Sequence, residues 1–319
     1  MAPAAAENRR IDPVINYLVR RLLALVPVTL GVATLTFAII HLVPGDPVVA
    51  MLGETAAPAD IVGMRHQLGL DRPLLVQYAA YLGGLAVGDL GESISYRKPV
   101  SRLIAERFPA TIELAAAGML VAVLLAFPLG IIAGANPGGA GDLGAMGFAI
   151  VGISIPHIYL GPLLMILFSL DLRWLPLTGR GGLEHLILPA VTLGTALAAI
   201  LARMLRQSLI RVRESDYMRT ALSKGLSARA ALVRHGLKNA LTSVVTIIGL
   251  QMGGLLSGTL ITEIIFSWPG IGRLLISAIG ARDYPVVEGC VLTFAMTYVI
   301  VNMATDFVYA IVDPRVRIS

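Results

Sequence analysis

Long stretches with almost no charged residue alternate with polar segments along this chain. A helix of about 20 apolar residues spans the hydrocarbon core of a bilayer. Six stretches have the length and character of such helices: Leu22–Val43, Leu114–Ala135, Ala145–Leu170, Leu186–Ala202, Leu241–Thr262 and Gly289–Val312. The pattern therefore predicts an all-α integral membrane protein with six transmembrane helices, the third of them interrupted by Pro156 and Pro162.

The lengths of the remaining segments suggest one transmembrane domain with two elaborated loops. We predict that this domain covers residues 22–312, between short terminal segments at 1–21 and 313–319. The two long loops cover residues 44–108 and 203–240.

The first long loop has helical patterns of its own. One begins near Asp60 and closes at Gly69, and another covers Arg72–Leu85 with a proline near its start. We therefore expect an ordered extracytoplasmic cap. Ser267–Pro285 has a similar pattern, and a re-entrant segment would fit it.

Composition and charge agree with a membrane protein. Hydrophobic residues make up 56% of the chain and charged residues 14%, whereas about a quarter of a soluble domain is charged. Lys and Arg near the ends of spanning helices favour the cytoplasmic side. With the N-terminus inside, that side holds Arg9, Arg10, Arg20, Arg21, the basic residues from Arg203 to Lys238, Arg315 and Arg317, and the short outer loops hold Arg173, Arg180, Arg273 and Arg282. We therefore expect a multi-pass plasma-membrane protein with both termini in the cytoplasm.

The segment "SDYMRTALSKGLSARAALVRHGLKNA", Ser215–Ala240, is basic and amphipathic in an otherwise apolar chain. Asp216 can cap a helix that continues to Lys224, and Gly225 can end it in the left-handed conformation. Ser227 is a suitable N-cap for a second helix. The predicted apolar stripe of that helix consists of Leu226, Ala230, Val233 and Leu237.

Three interpretations fit this helix, turn and helix. A DNA-binding helix-turn-helix is disfavoured because no independent domain supplies its core, so nucleic acid is not an expected partner. A basic loop that only sets topology is the simplest interpretation. Two capped helices are more structure than topology requires, which favours a docking element for a soluble partner.

This segment resembles the coupling loop of permease subunits in bacterial ATP-binding-cassette importers. The motif in that loop is E-A-A, three residues and a glycine, and here Arg219, Thr220 and Ala221 precede Gly225. Six further segments resemble the dipeptide, oligopeptide and nickel branch of these permeases, in the same order: "HLVPGDPV" (41–48), "LGLDRPLLVQY" (68–78), "GDLGESISYRKPV" (88–100), "EIIFSWPGIGRLL" (263–275), "ARDYPVVEG" (281–289) and "DFVYAIVDPRVR" (306–317). The chain departs from the branch at Thr242 and Ser243, where a proline is usual, which leaves the entry into the fifth span open.

The resemblance implies a type I importer permease fold and a set of partners. These are a second, related permease chain, two ATPase subunits and an extracytoplasmic solute-binding protein. ATP and magnesium would be held by the ATPases, since this chain has no G-x-x-x-x-G-K-[ST] loop and is expected to be no enzyme and to bind no cofactor. The solutes implied are di- or oligopeptides, with nickel complexes, glutathione or another small solute as alternatives.

The resemblance also implies which residues couple transport to the ATPases. The first loop helix would enter a groove on an ATPase, with Gly225 as its turn. The expected coupling residues are Asp216, Tyr217, Arg219, Thr220, Ala221, Lys224 and Leu226.

Candidate residues for the translocation path lie in the third and fifth spans. A polar histidine at membrane depth, His157, is either functional or bonded to a neighbouring helix. Small residues give the fifth span a face that serves either close helix packing or a pore lining. These residues are Gly249, Gly253, Gly254 and Gly258.

Other classes of function have weaker support. "SYRK", Ser95–Lys98, matches the S-x-x-K pattern of serine hydrolases but has no K-T-G partner. A self-sufficient transporter or channel usually has ionisable residues at mid-span, and the second, third and fifth spans contain no Asp, Glu, Lys or Arg. The single cysteine and five scattered histidines have no metal-ligand spacing, so no metal site is expected.

Overall fold

The computed structural model describes residues 23–39, 41–42, 47–52, 56–67 and 69–312. The predicted terminal segments, 1–21 and 313–319, lie outside these residues. The described chain is almost entirely helical, and its only β pairing is an isolated bridge between Glu92 and Pro99.

Thirteen helices cover most of the described chain. In order they are α1 (Leu23–Ile39), α2 (Pro47–Leu52), α3 (Pro58–Gln67), α4 (Leu74–Ala86), α5 (Val100–Ala135), α6 (Ala140–Ser154), α7 (His157–Met165), α8 (Leu183–Arg213), α9 (Asp216–Ser223), α10 (Ala228–Ala231), α11 (Leu237–Ile265), α12 (Ile271–Gly280) and α13 (Tyr284–Val312). Two π-helical turns, Ile166–Asp171 and Leu232–Gly236, continue α7 and α10. The cap helices expected near Asp60 and after Arg72 are confirmed as α3 and α4.

The all-helical membrane fold is confirmed, although fewer than six helices span by themselves. Among the described residues, α5, α8 and the Tyr284–Thr305 part of α13 are long and apolar enough to cross a bilayer alone. Two bent pairs raise the number to five if each is one span: α6 with α7 and its π turn, and two parts of α11. The first helix, α1, is apolar and shorter over its described residues.

The third predicted span is broken rather than continuous. Its two halves, α6 and α7, meet at an angle of 99°. Ile155 between them is extended, with φ −93° and ψ 111°. The cause is Pro156, whose ring excludes the helical conformation at the residue before it. The predicted interruption of the span Ala145–Leu170 at Pro156 is therefore confirmed, and it takes the form of a sharp bend.

Two helices extend well beyond their predicted boundaries. α5 begins at Val100, 14 residues before the predicted second span, so the cap ends earlier than residue 108. α8 runs to Arg213, so the first eleven residues of the predicted loop at 203–240 are helix. α11 passes through positions 242 and 243 without a break, so the missing proline leaves this helix regular there.

The larger of two compact units contains Ile112–Trp268 and the chain from Tyr298. In it, glycines of α5 face leucines of α8 at very short range. A Cβ on Gly130 or Gly134 would lie 2.8 Å from the Cβ of Leu205 or Leu209, respectively. Glycine at these positions lets the two helix backbones approach, as small residues do in membrane bundles.

The smaller unit contains the chain from α1 to Thr111 and Pro269–Thr297. Its loop before α5 is tied to the start of α13 by the buried carboxylate of Asp283. Ser93 Oγ donates to Oδ2 at 2.5 Å, and the N–H groups of Ile94 and Ser95 donate to the two carboxylate oxygens at 3.1 and 3.0 Å. The "SYRK" tetrapeptide therefore belongs to a structural turn.

Replacing Asp283 by asparagine is expected to lower the free energy of unfolding by about 1–2 kcal/mol. One acceptor oxygen becomes an N–H₂ group, which cannot accept and leaves a buried donor without a partner. Thermal unfolding of the purified chain measures the effect. Asp71→Asn, at an exposed aspartate of the same unit, is the matched control, and equal melting temperatures for the two variants would contradict the assignment.

Candidate docking element and translocation path

The first loop helix, α9, begins at Asp216, one residue earlier than predicted. Ser215, not Asp216, is the N-cap: its backbone is extended and its carbonyl accepts from the N–H groups of Met218 and Arg219. Asp216 occupies the first helical position with a solvent-exposed side chain, 3.8 Å from Arg219 Nη1. An acidic residue is favourable there because the helix N-terminus carries partial positive charge.

The C-terminal end of α9 is a Schellman motif centred on Gly225. Gly225 has φ +87°, which confirms the predicted left-handed turn. Its N–H donates to Leu222 O at 2.9 Å, and Leu226 N–H donates to Ala221 O at 3.3 Å. Leu226 also packs near Ala221, the apolar contact that accompanies this motif.

One face of α9 is clamped against the protein. Met218 and Ala221 are 3% and 8% exposed and form a cluster with the fully buried Ala231. Val212 and Leu226 pack against the same cluster. These contacts fix the position of α9 against the next helix.

The opposite face of α9 is open to solvent. Five of the predicted coupling residues are exposed there: Asp216, Tyr217, Arg219, Thr220 and Lys224. Ala221 and Leu226 instead pack in the cluster with Ala231, and their predicted role as contact residues stays a prediction. Leu222, which the sequence reasoning missed, is 44% exposed on the open face. Leu222 lies four residues after the buried Met218 and directly follows the buried Ala221, so only the packing reveals that it is exposed.

The second loop helix differs from its prediction. Ser227 is its N-cap, as expected, because Ser227 Oγ accepts from Ala230 N–H at 3.3 Å. The predicted apolar stripe is wrong, since Val233 is 63% exposed and Ala230 is exposed, whereas Ala231 and Gly236 are buried. The π turn at Leu232–Gly236 is the reason, because it fits an extra residue into one turn and rotates the following face. It also joins α10 to α11 without a loop.

Two arginines of α8 tie this end of the larger unit together. The Arg206 guanidinium forms a bidentate ion pair with Asp142 of α6, at 2.6 and 2.7 Å. Asp142 Oδ2 also accepts from Gly138 N–H at 2.8 Å. Arg213 Nη1 donates to the Gly134 and Ala135 carbonyls at the C-terminus of α5. The sequence reasoning missed this network because its partners lie far apart in the chain.

Two of the predicted path glycines serve close packing. A Cβ on Gly249 would lie 2.1 Å from Thr305 Cγ2, and one on Gly253 would lie 2.8 Å from Tyr298 Cε2. The packing interpretation therefore accounts for Gly249 and Gly253, which bring α11 against α13. Gly258 lies further along α11, and its surroundings lie outside the described part of the chain.

His157 and Gly254 come together in a recess of about 190 Å³ within the larger unit. His157 Nδ1 lies 2.9 Å from Thr192 O, so the ring donates at this nitrogen. Its Nε2 is then the acceptor of the neutral ring. Gln251, which the sequence reasoning did not single out, adds an amide to the lining. The histidine is therefore bonded to a neighbouring helix and lines a recess, and a functional role for it stays a prediction. No group of three or more His, Cys, Asp or Glu residues that could hold a metal ion occurs among the described residues.

Two family models match the chain. One, described as binding-protein-dependent transport system inner membrane component, matches residues 126–318. The other, described as the N-terminal part of such membrane components, matches residues 14–115.

Curated relatives match over almost their full length. The glutathione transport system permease protein GsiC of Salmonella choleraesuis (strain SC-B67) is 44% identical over 303 residues, which are 95% of this chain and 99% of the relative. The protein of the same name from Escherichia coli (strain K12) is 42% identical with the same coverage.

Solved structures match in fold at low sequence identity. Inward-facing conformations of the MetNI methionine ABC transporter include a chain with a TM-score of 0.56 and 15% identity. The match covers 67% of this chain and 97% of that one. A chain of an amino acid ABC transporter with histidines has a TM-score of 0.51 and 14% identity, covering 68% and 95%.

Proposed function

Since this chain belongs to the family of binding-protein-dependent transport system inner membrane components, and so is a permease subunit of an ATP-binding-cassette importer, we propose that it carries small peptides across the inner membrane. The relatives at 42–44% identity are named for glutathione, which is chemically a modified tripeptide. Glutathione itself is therefore the leading alternative within the same solute class.

We propose an importer of five chains. This permease pairs with a second, related permease, two ATPases hold ATP and magnesium in the cytoplasm, and a binding protein delivers the solute from outside. In this arrangement both termini and α9 face the cytoplasm, and the helices of residues 58–86 face outward. Neither catalysis nor a resident cofactor is assigned to this chain.

The observation that carries the coupling proposal is the two-sided character of α9. Its open face presents Tyr217, Leu222 and Lys224, an aromatic, an aliphatic and a basic side chain suited to a groove on a partner. Its other face is clamped at Met218 and Ala221 against Ala231 in the next helix. Because helical structure continues from α10 through the π turn into α11, a displacement of α9 is passed directly to the fifth span.

The solute path of the proposal includes the recess of His157 and Gln251. Both side chains are polar, and both can be neutral, which suits the passage of peptides whose charges differ. Gly254 keeps one wall of the recess open, because a Cβ there would meet nothing within 4 Å.

Co-purification from native membranes tests the coupling proposal. We expect a tagged chain to bring two ATPases, a second permease and a binding protein, and Leu222→Asp to release the ATPases. Val233→Asp introduces the same charge at a more exposed apolar residue outside α9 and should leave the assembly intact. Recovery of the wild-type chain alone in mild detergent would overturn the assembly proposed here.

Uptake assays test the solute. Cells that express the complete importer should accumulate labelled L-alanyl-L-alanine, and unlabelled glutathione should compete with it. Uptake of glutathione without any uptake of dipeptides would replace the peptide assignment with the glutathione one.

A further inference from the structure

A second recess, of about 370 Å³, lies in the smaller unit between α1, α4, the loop before α5 and the start of α13. Its volume is within the range of sites for small organic ligands. Its wall includes the aromatic rings of Phe37 and Tyr284 and the carboxyl groups of Glu92 and Glu288. The cap helix α4 contributes Gln77, so in the proposed orientation the recess opens on the extracytoplasmic side.

The histidine and the amide in the wall are already engaged by the protein. Gln77 Nε2 donates to Arg72 O at 2.8 Å and to Leu70 O at 3.4 Å, which fixes the orientation of the amide. Gln77 Oε1 therefore faces His41 Nε2 at 3.3 Å, while His41 Nδ1 lies 2.8 Å from Phe37 O. Both ring nitrogens of His41 thus face oxygen acceptors within the protein.

The carboxylates, in contrast, remain available. Neither Glu92 nor Glu288 has a side-chain hydrogen bond or ion pair with the described residues, and no Lys or Arg is part of the wall. Glu92 and Glu288 are the acidic residues of the wall, and each carboxyl group attracts a cation when it is ionised. The recess therefore favours a cation.

Tyr81 adds an unsatisfied polar atom beside this wall. Its ring stacks on Phe37, with the centroids 5.9 Å apart. Its hydroxyl is buried and has no hydrogen-bond partner among the described residues. Burial, and after it the charge of Glu288, raises the pKa of the Tyr81 phenol. The hydroxyl is therefore protonated and lies near Glu288.

We propose that this recess receives the primary ammonium group of the incoming solute, with Glu288 as its ion-pair partner. An ammonium ion donates three hydrogen bonds and is attracted to aromatic faces such as those of Phe37 and Tyr284. A metal ion fits less well, because the described residues contain no group of three suitable ligands. The proposal rests on the proposed function and narrows the solute to peptides with a free amino group.

Carbodiimide protection tests the recess directly. The full chain with its partner permease, in lipid nanodiscs, is treated with a hydrophobic carbodiimide, and modification of Glu288 is measured by peptide mass spectrometry. Millimolar L-alanyl-L-alanine is expected to slow this modification about tenfold, as binding at about ten times the dissociation constant would. N-acetyl-L-alanyl-L-alanine, which has no ammonium group, should give no protection.

Glu106 is the internal control, because it lies outside the recess and is paired with Arg102. Its modification should be the same with either dipeptide. Equal protection of Glu288 by both dipeptides, or by neither, overturns the proposal. Glu288→Gln, which preserves the shape of the side chain, should in turn reduce the preference of uptake for free over N-acetylated dipeptide.

The proposed function and the role of the recess can fail separately. The labelling experiment needs neither ATPases nor binding protein, so protection of Glu288 can be observed even if the importer assembly differs from the one proposed. Active peptide uptake without selective protection of Glu288 would remove the recess from the mechanism and leave the proposed function in place.

Discussion

Replacing Gly225 by valine is expected to lower solute uptake about tenfold or more while the chain remains in the membrane in normal amount. Gly225 has φ +87°, and a side chain in this region costs about 1–2 kcal/mol, more for a β-branched residue. Such a cost reduces the fraction of chains that hold the turn by about five- to thirtyfold. Without the turn, Leu226 leaves Ala221, and α9 loses part of the packing that, in the proposed function, orients it toward the ATPase.

A control substitution at a matched glycine, Gly88, distinguishes the effect of backbone strain from the effect of lost coupling. Gly88 has φ +79° and, like Gly225, has open space where a Cβ would lie, but it belongs to the cap. Gly88→Val therefore imposes a similar backbone cost without touching α9, and it should leave uptake near the wild-type level. Gly225→Asn should be milder than Gly225→Val, because asparagine enters the left-handed region more easily. Normal uptake by Gly225→Val, measured with labelled dipeptide, would contradict the coupling role of this turn.

Replacing Gly249 by valine is expected to destabilise the protein by about 3 kcal/mol and to lower the yield of folded chain. A Cβ at this position would lie 2.1 Å from Thr305 Cγ2 and 2.7 Å from Thr305 Oγ1. Thr305 is short and β-branched, so it cannot rotate away and α11 must move from α13. Overpacking of this kind costs about 1–3 kcal/mol and occasionally more. Size-exclusion profiles and thermal unfolding in detergent measure the loss.

A glycine five residues later on the same helix provides the control. A Cβ on Gly254 would meet nothing within 4 Å, so Gly254→Val should leave the melting temperature near that of the wild type. Gly249→Ala introduces the clashing Cβ alone. Adding Thr305→Ala to that variant removes the two nearest clashing atoms and should restore part of the lost stability. A Gly249→Val variant as stable as Gly254→Val would show that α11 and α13 do not pack through Gly249.

Local signals in the sequence accounted for the ends of α9 better than for its faces. Gly225 and Ser227 act as predicted because a left-handed turn and an N-cap depend mainly on the residue and its immediate neighbours. Which side of α9 is exposed depends on Ala231 and Val212, which lie outside the helix. For this reason the sequence did not indicate that Ala221 is buried or that Leu222 is exposed.

Errors in the helix boundaries have a similar origin. Charged residues in the first turns of α5, such as Arg102 and Glu106, break the hydropathic signal although the helix continues through them. The π turn at Leu232–Gly236 depends on packing, since Gly236 lies against Val212, and sequence periodicity assumes a regular helix. The break at Pro156 was visible as an interruption, but its 99° angle was not.

The parts of the candidate site that belong to a recognisable motif were predictable from the sequence. The contacts between residues far apart in the chain were not. The pair of Asp142 and Arg206 is separated by 64 positions, and neither residue stands in a recognisable pattern. The recess around Glu288 likewise combines parts of α1, α4 and α13, each ordinary by itself. A single sequence contains no signal for such long-range contacts, because they form only when the helices pack.

The carboxylate of Asp283 also imposes an order on biogenesis. Its partner Ser93 is 190 residues earlier in the chain, so the loop before α5 leaves the ribosome long before its acceptor has been synthesised. Until then, the N–H groups of Ile94 and Ser95 are satisfied by water. These bonds of the smaller unit can thus form only after the start of α13 has been synthesised.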